Sequence, residues 1–364
     1  MCQTGRAVNS HGVEWAAGAH ALERVGAEWD ALADRHPDPF MQRAWLGPWS
    51  RAFGSPEQCE LCLIWRDGSL VAAAPFLRTG GRLEAMANLH TPVFRPMAHD
   101  AEALEVLALA IGRAGAGALT VGPLADEPAT ARLIAGSHRA RRLVAVETLY
   151  VSPVAETADG DYESYCASRG RGWKSLEQKL RRAARQHTVD LRLLCTADYG
   201  LTFLEEGLRL EAAGWKGTAG TAMLSAPHTA RFYRDICLGF AGRSELALSG
   251  MWFDGTLVAF DLGLVFGERF WGLKATYDER QRKLSPGLLM ARATVEETFR
   301  RRLLALEMLG STEPYKELFA TTHRRHVMCR AFRLDPRWAP VWAWRRTRPH
   351  VKRAYRQAVA RTRP

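Results

Sequence analysis

The alternation of apolar and polar residues along the chain marks out a unit of strands and helices that occurs twice. Residues 64–76 (IWRDGSLVAAAPF) and 251–263 (MWFDGTLVAFDLG) share Trp, Asp-Gly and Leu-Val-Ala at matching positions. In each segment Asp-Gly separates two apolar runs, which is a strong β-hairpin signal because this pair suits tight hairpin turns. The pattern therefore predicts two hairpins about one domain length apart.

The segments after each hairpin repeat the same order of a strand, a loop, a helix and an apolar strand. The first set reads FLRTGGRLEAMA, AEALEVLALAIGRA and GALTVGPL; the second reads LGLVFGERFWGLKATY, GLLMARATVEETFRRR and LLALEML. A repeated supersecondary order indicates two copies of one α/β unit. We expect a first domain over residues 1–155 and a second over 161–336, with a turn-rich linker at 152–160.

The second copy contains a predicted hairpin of two longer strands, Val258–Phe266 and Arg269–Tyr277. Glycine at the first position of the Gly267-Glu268 turn predicts a type II′ turn. Counting inward from that turn pairs Asp261 with Lys274 across the strands. Opposite charges in this arrangement are typical of sheet stabilisation, and the alternative is a polar floor beneath a substrate.

The loops before the two helices differ in charge. The first, NLHTPVFRPMAHD, ends at Asp100, a predicted helix N-cap whose carboxylate would repel an anion. The second, YDERQRKLSPG, is basic and ends at Ser285, a good N-cap, with Pro286 suited to the first helical position. A positive loop at a helix start favours an anion site, and the alternative is a capped surface helix with solvated basic residues.

Composition and charge indicate an ordinary globular protein with a basic end. Of the formal net charge of +11, nine Lys and Arg lie in residues 337–364, a stretch without acids, so the rest carries 41 basic and 39 acidic residues. No apolar run reaches the roughly 18 residues of a membrane helix, and the N-terminus lacks a secretory pattern, so we expect a cytoplasmic location without a membrane span. The seven irregularly spaced cysteines favour buried thiols over disulfides.

These segments together resemble one family. Residues 282–287 (RKLSPG) look like the R/Q-x-x-G-x-G/A loop by which GNAT-fold acyltransferases hold the diphosphate of coenzyme A. In the same order, EWDALADRHPDPFMQRAWLGPWSRAFG, YESYCASRG, KSLEQKLRRAAR, LEAAGWKGTAGTA and LGSTEPYKELFA resemble the CelD/BcsL-like (Acetyltransf_6) branch, which is related to the Fem-type aminoacyl transferases. One departure is that Ser285 replaces the first glycine of the loop pattern and Pro286 has no N–H group.

The resemblance implies a fold and an activity. The fold would be α/β (α+β), with two tandem GNAT-like domains, each a mixed, mostly antiparallel sheet flanked by helices. The second domain would bind acetyl-CoA or another acyl-CoA and use no metal, and residues 337–364 would form a basic tail. Direct attack of an amine or hydroxyl on the thioester needs a proton acceptor, oxyanion stabilisation and a proton donor.

The predicted site residues fall into three groups. Glu313 would take the proton of the amine, Tyr315 would protonate the thiolate, and Lys316 would stabilise negative charge; the alternative is a helix start with an exposed lysine. Donor-binding residues are Arg282, Lys283, Ser285, Gly287 and Leu288. Acceptor contacts are Glu211, Trp215, Lys216 and Tyr277, although an aromatic residue in a loop is as often a plug for the core.

Three functions remain open from the sequence. The first is an acyl-CoA-dependent acyltransferase acting on a small molecule, a sugar or a peptide. The second is a Fem-like aminoacyl-tRNA-dependent transferase, in which the basic helix 174–185 and the tail 337–364 would contact tRNA. The third is a non-catalytic accessory protein in polysaccharide biosynthesis.

Overall fold

The computed structural model describes residues 11–18, 20–158, 160–195 and 200–347. They form two compact units. Of the described residues, the first unit contains those within 11–36, 40–149 and 325–347, and the second contains those within 37–39 and 150–324. The division assigns 325–336 to the first unit, whereas the sequence had assigned them to the second domain. Most of the predicted basic tail, from residue 348 onward, lies outside the described residues.

The regular elements alternate between strands and helices. The strands are β1 His11–Ala17, β2 Cys59–Arg66, β3 Ser69–Thr79, β4 Arg82–Ala85, β5 Met97–Ala98, β6 Ala118–Ala125, β7 Arg142–Glu156, β8 Val189–Cys195, β9 Leu246–Phe253, β10 Thr256–Phe266, β11 Arg269–Tyr277, β12 Ala305–Glu307 and β13 Thr322–Arg333. The helices are α1 Ala21–Arg24, α2 Gly26–Ala33, α3 Arg43–Phe53, α4 Ala101–Arg113, α5 Pro128–Arg139, α6 Tyr162–Gln186, α7 Gly200–Ala213, α8 Trp215–Thr218, α9 Pro227–Ala241, α10 Pro286–Arg300 and α11 Pro314–Glu317.

The predicted duplication is present in the pairing of the strands. In the first unit β1, β2, β3 and β4 are antiparallel neighbours, and β4 is parallel to β6 after the crossover through α4. In the second unit β8, β9, β10 and β11 are antiparallel neighbours, and β11 is parallel to β12 after α10. The predicted fold class, a mixed and mostly antiparallel sheet flanked by helices in each copy, is confirmed.

Both Asp-Gly hairpins are confirmed. Asp67 and Gly68 have φ of 51° and 76°, and Asp254 and Gly255 have φ of 49° and 79°. Positive φ at both central residues defines a type I′ turn, whose twist matches that of the flanking strands. The Gly267-Glu268 turn is also of this kind, with φ of 56° and 57°, so the predicted type II′ turn is wrong.

The predicted linker is wrong in its first half. Ser152 to Glu156 form the end of β7, where Val154 and Ala155 are fully buried. Residues 154–156 pair with β12, so the apolar side chains outweigh the turn tendency of Pro153. The predicted final strand of the second copy, 303–309, is also shorter, because only Ala305–Glu307 pair.

Helix α10 joins two cores of the second unit. One face of the helix meets a cluster in which Val295 and Leu303 are buried and Leu288, Ala291 and Phe299 pack against them. Leu289 and Met290 contribute to a second cluster with residues of β9 and β10. Because both sides of the helix are held, its first turn and the loop before it have a defined position.

The cysteines of the described residues behave as predicted. Cys59, Cys62, Cys166, Cys237 and Cys329 are free, and all except the partly exposed Cys166 are buried. Burial raises the pKa of the Cys59 thiol to about 11. These residues therefore pack as small apolar side chains.

Candidate functional site

The start of α10 has a backbone geometry that suits glycine better than serine. Ser285 occupies the N-cap position and Pro286 the first helical position, as predicted, but Ser285 has φ 56° and ψ 49°. In this left-handed conformation its hydroxyl makes no cap hydrogen bond, so the predicted side-chain cap is wrong. The hydroxyl instead accepts a hydrogen bond from Lys179 Nζ of α6 at 3.1 Å.

Few backbone donors remain open at this helix start. The N–H groups of Leu288 and Leu289 both donate to the carbonyl of Ser285, at 3.0 and 3.1 Å. Pro286 has no N–H group, so within the described chain the unpartnered donor of the first turn belongs to Gly287. A Cβ at Gly287 would lie 3.0 Å from Cδ1 of Tyr277, so glycine here permits close packing of the helix start on β11.

Cations surround this helix start. Arg282 and Lys283 are exposed, and no described acid pairs with either. Arg280 differs, because its guanidinium is bound to the buried carboxylate of Asp278 at 2.8 Å. Two of the three predicted loop cations are therefore available to a ligand.

The corresponding helix start in the first unit is closed. Asp100 caps α4 as predicted, and its Oδ1 accepts a hydrogen bond from the Ala103 N–H at 2.8 Å. Its Oδ2 binds Arg66 Nη2 at 2.6 Å. These hydrogen bonds, first that from Ala103 and then that from Arg66, lower the pKa of Asp100. A carboxylate thus occupies the place where an anion would bind.

Strands β11 and β12 separate at the edge of the sheet near the basic loop. They pair in parallel only between residues 269–271 and 305–307, so the predicted neighbourhood of the two strands is confirmed. Beyond this point residues 272–277 of β11 keep only β10 as a strand partner within the described sheet. The carboxyl ends of parallel strands meet at one edge, so this opening faces the segments that follow both strands.

The segment after β12 forms a short loop and α11, which carry the three predicted catalytic residues. Lys316 is buried, and its Nζ donates to the carbonyls of Leu309 at 2.9 Å and Ser311 at 3.1 Å. The same Nζ lies 3.1 Å from Glu313 Oε1. The contacts of Lys316 are those of a residue that holds this loop in shape.

Tyr315 and Glu313 are more accessible than Lys316. The side chain of Glu313 is about half exposed, and Tyr315 is 38% exposed. Burial of the phenol, with Glu313 and Asp261 near, raises the pKa of Tyr315 well above its usual value. Tyr315 therefore keeps its proton at neutral pH.

The predicted acceptor residues gather around a buried carboxylate. Glu211 is 1% exposed, and its two oxygens accept hydrogen bonds from Lys216 Nζ at 2.9 Å and the Met223 N–H at 2.7 Å. Lys216 Nζ also donates to the carbonyl of Ala275 at 2.8 Å, in the part of β11 that has left β12. Trp215 is 59% exposed, so it does not plug the core. Its backbone N–H donates to Glu279 Oε1.

The predicted pairing of Asp261 with Lys274 is wrong. A bulge at Leu262 and Gly263 shifts the register, so Asp261 lies opposite Ala275 and Leu262 opposite Lys274. Lys274 contacts the ring of Tyr233, with Nζ 5.4 Å from its centroid, and burial lowers its pKa.

Asp261 is a candidate proton acceptor, a role that the sequence analysis did not give it. Its only described hydrogen bond comes from Thr294 Oγ1 of α10, at 3.5 Å. Burial raises the pKa of Asp261 to about 7, although Thr294 and Lys216 act in the opposite direction. A carboxylate that changes protonation near neutral pH can take up and release protons. The sequence signal was a single acid within an apolar strand.

The described residues contain no group of three or more His, Cys, Asp or Glu side chains arranged to hold a metal ion. Within the same residues, none of the helices combines the length and apolar character that a membrane crossing requires.

Comparisons with known proteins concern the fold of the chain. Residues 170–317 match the Acetyltransf_6 family model, described as an acetyltransferase (GNAT) domain. No curated protein matches the chain by sequence.

Several solved structures share the fold across most of the chain. FemX matches with 9% identity and a TM-score of 0.57, covering 87% of this chain and 98% of its own. The C-terminal domain of an Agrobacterium fabrum protein described as a lysylphosphatidylglycerol synthetase matches with 12% identity and a TM-score of 0.55, covering 83% and 90%. L-PGS from Bacillus licheniformis matches with 12% identity and a TM-score of 0.52, covering 89% and 96%. The chain therefore has a GNAT-like fold, and residues 170–317 of its second unit match the acetyltransferase (GNAT) domain.

Proposed function

We propose that the second unit transfers an acyl group from the thioester of coenzyme A to an amine or a hydroxyl. The observation that carries this proposal is the contrast between the starts of α10 and α4. The start of α10 presents unpaired cations and an open N–H group, whereas Asp100 fills the start of α4. The match of residues 170–317 to the acetyltransferase (GNAT) domain supports the same function.

The donor would be held mainly by charge. Arg282 and Lys283 would bind the diphosphate, and the Gly287 N–H would add one backbone hydrogen bond. Ser285 and Leu288 would line the same helix start. Because one backbone donor is open in the first turn, binding should weaken as salt screens the cations.

The reaction needs a group that accepts the proton of the attacking amine. The nitrogen would form a bond to the thioester carbon as the carbon–sulfur bond breaks, and the amine would lose a proton. We assign this proton to Asp261, whose pKa of about 7 lies near the working range of a general base. Glu313 is the second candidate, although its carboxylate is already paired with Lys316.

The leaving thiolate also needs a proton. Tyr315 is the proposed donor, since it is accessible and retains its proton. Lys316 would act as a positioning residue through the loop that contains Glu313. The acceptor molecule would lie near Glu211, Lys216, Trp215 and Tyr277, and its class would be a small amine, a sugar or a peptide.

Isothermal titration with coenzyme A tests the donor. We expect saturable binding that the double substitution Arg282→Gln, Lys283→Gln weakens by about tenfold or more, since each lost charge-assisted contact matters. Arg302→Gln removes an exposed cation just beyond the far end of α10 and should leave the affinity unchanged. Absence of heat at millimolar coenzyme with folded protein would contradict the proposal.

The alternative is a Fem-like transferase that takes an aminoacyl group from tRNA. The observation in its favour is a cationic strip, defined as the basic residues of α6 from Lys174 onward together with two cations of the loop before α10. No described acid forms an ion pair with any of them, and Lys179 joins the helix to Ser285. The strip consists of Lys174, Lys179, Arg181, Arg182, Arg185, Arg282 and Lys283.

Binding of deacylated tRNA, measured by fluorescence anisotropy at two salt concentrations, separates the alternatives. A tRNA-dependent enzyme should bind with an affinity that falls steeply with salt and that is reduced by Arg181→Gln with Arg182→Gln and Arg185→Gln. An acyl-CoA enzyme should retain its coenzyme affinity in this triple variant, because its proposed donor contacts are Arg282, Lys283 and the Gly287 N–H.

A further inference from the structure

A cavity of about 300 Å³ lies in the first unit, where α4 and α5 end and β7 begins. Four of the nine residues that line it are arginines, and none is an acid. It is also distant from the start of α4, since 13 helical residues span about 20 Å. The lining residues are Gly112, Arg113, Ala114, Gly115, Ala140, Arg141, Arg142, Arg333 and Leu334.

Arg142 is the buried member of this group. It is 7% exposed, and its Nε and Nη2 donate to the carbonyls of Gly112, Ala114 and Ala116 within 3.0 Å. These bonds satisfy the carboxyl end of α4, where a cation is favourable. They leave Nη1 buried without a partner in the described chain, and a buried donor in that state costs free energy unless a ligand supplies an acceptor.

The other three arginines add charge without compensation. Arg113, Arg141 and Arg333 are exposed, and no described carboxylate pairs with any of them. Asp335 is close enough to Arg333 to feel its charge, but its carboxylate is bound to Arg337 at 2.8 Å. Burial, and then the charge of Arg333, lower the pKa of Arg142 to about 10, as expected where cations crowd together.

A role in capping the end of α4 explains the hydrogen bonds of Arg142 Nε and Nη2. It does not explain why three further arginines line the same cavity. Four guanidinium groups exceed the partial negative charge of two helix ends, each about half a unit. Planar guanidinium groups match the oxygens of phosphate, often with two hydrogen bonds each. The volume lies at the lower limit for small-molecule sites and suits a phosphate monoester better than a coenzyme.

We propose that this arginine cavity binds a phosphate group, either as free inorganic phosphate or as part of a small phosphorylated metabolite. This cavity is separate from the site of the proposed acyl transfer. It lies in the first unit at the C-terminal end of α4, whereas the proposed transfer takes place in the second unit. Its occupation would neutralise the arginines and supply an acceptor for Nη1 of Arg142.

The test is a calorimetric titration of the full chain with inorganic phosphate at constant ionic strength. We expect saturable binding and a melting temperature that rises with phosphate concentration. Arg141→Gln with Arg333→Gln should weaken binding by about tenfold or more, since both lost partners are charged. Both residues are exposed, so the variant should melt like the parent chain in buffer without phosphate; Arg113→Gln serves as a second variant if it does not.

The control removes one cation from the end of α5 but not from the cavity. Arg139→Gln should bind phosphate as the parent chain does. An equal loss of affinity in the control, or no saturable binding at about 10 mM phosphate, would overturn the proposal. Glycerol 3-phosphate binding more tightly than inorganic phosphate would identify an ester as the ligand, and equal affinities would identify free phosphate.

Discussion

At the residue scale, Asp261 and Lys316 exchange the roles that their sequence positions indicated. The sequence predicts that Asp261 forms a cross-strand ion pair with Lys274. The bulge at Leu262 and Gly263 separates the two residues and leaves a carboxylate with a pKa of about 7. The sequence predicts that Lys316 is an exposed or a catalytic cation, but its Nζ is buried among three oxygens. We therefore expect the proposed acyl transfer to use ionisable groups that the fold leaves without strong partners.

The raised pKa of Asp261 predicts how stability depends on pH. Folding raises this pKa above the unfolded value near 4, so the folded state binds the extra proton and Asp261 costs stability as pH rises from about 4 to about 7. Asp261→Asn should therefore raise the melting temperature more at pH 8 than at pH 4. Calorimetry at the two pH values measures this difference, and an equal effect at both would show that the pKa is ordinary.

Tyr315 and Lys316 should respond differently to substitution. Tyr315→Phe should reduce acyl transfer while the free energy of unfolding changes little, because the substitution keeps the ring and removes only the hydroxyl. Lys316→Met should lower the free energy of unfolding by about 1–3 kcal/mol, since it leaves buried carbonyls unpaired. Chemical denaturation and a thiol-release assay of both variants check this. Full stability in the lysine variant would contradict the positioning role.

At the scale of elements, two helices built on one plan differ at the residue that precedes the first turn. Asp100 before α4 binds Ala103 and Arg66, whereas Ser285 before α10 leaves the helix start without a side-chain cap. The left-handed backbone of Ser285 is the conformation that glycine adopts most easily. Ser285 thus adopts a conformation that suits the glycine of the GNAT loop pattern.

Transferring the acid of the first copy into the second should close the site. Ser285→Asp should lower coenzyme A affinity by about tenfold or more through repulsion, while stability is kept by the neighbouring Lys179 and the positive helix end. Ser285→Asn is the matched control, because Asn also tolerates the left-handed backbone and carries no charge. Similar coenzyme affinities in the two variants, measured by titration calorimetry, would argue against an anion site at this position.

At the scale of the whole molecule, the difference between the two copies predicts one donor site per chain. The two units share strand order and hairpin turns, but only the second has an open helix start next to separating strands. Calorimetric titration should therefore give a stoichiometry of one coenzyme A per chain. Asp100→Ala should lower stability by about 1 kcal/mol through the lost cap and leave that stoichiometry unchanged. A value of two would mean that the first unit also binds the coenzyme.

The sequence by itself determined the features that depend on local geometry. Asp-Gly pairs favour positive φ at adjacent residues, so both hairpins could be located, and the helix starts at Asp100 and Ser285 followed from capping and proline preferences. Each of these preferences acts over a few neighbouring residues.

The tertiary structure alone decided which polar groups are satisfied. The bulge that isolates Asp261 lies where a Cβ at Gly263 would come within 2.5 Å of the Phe270 ring, a contact between strands. The gathering of Arg142 with Arg333 likewise joins residues far apart in the chain. The free energy of a charged group depends on all of its neighbours, and the packing of the chain brings most of those neighbours to it.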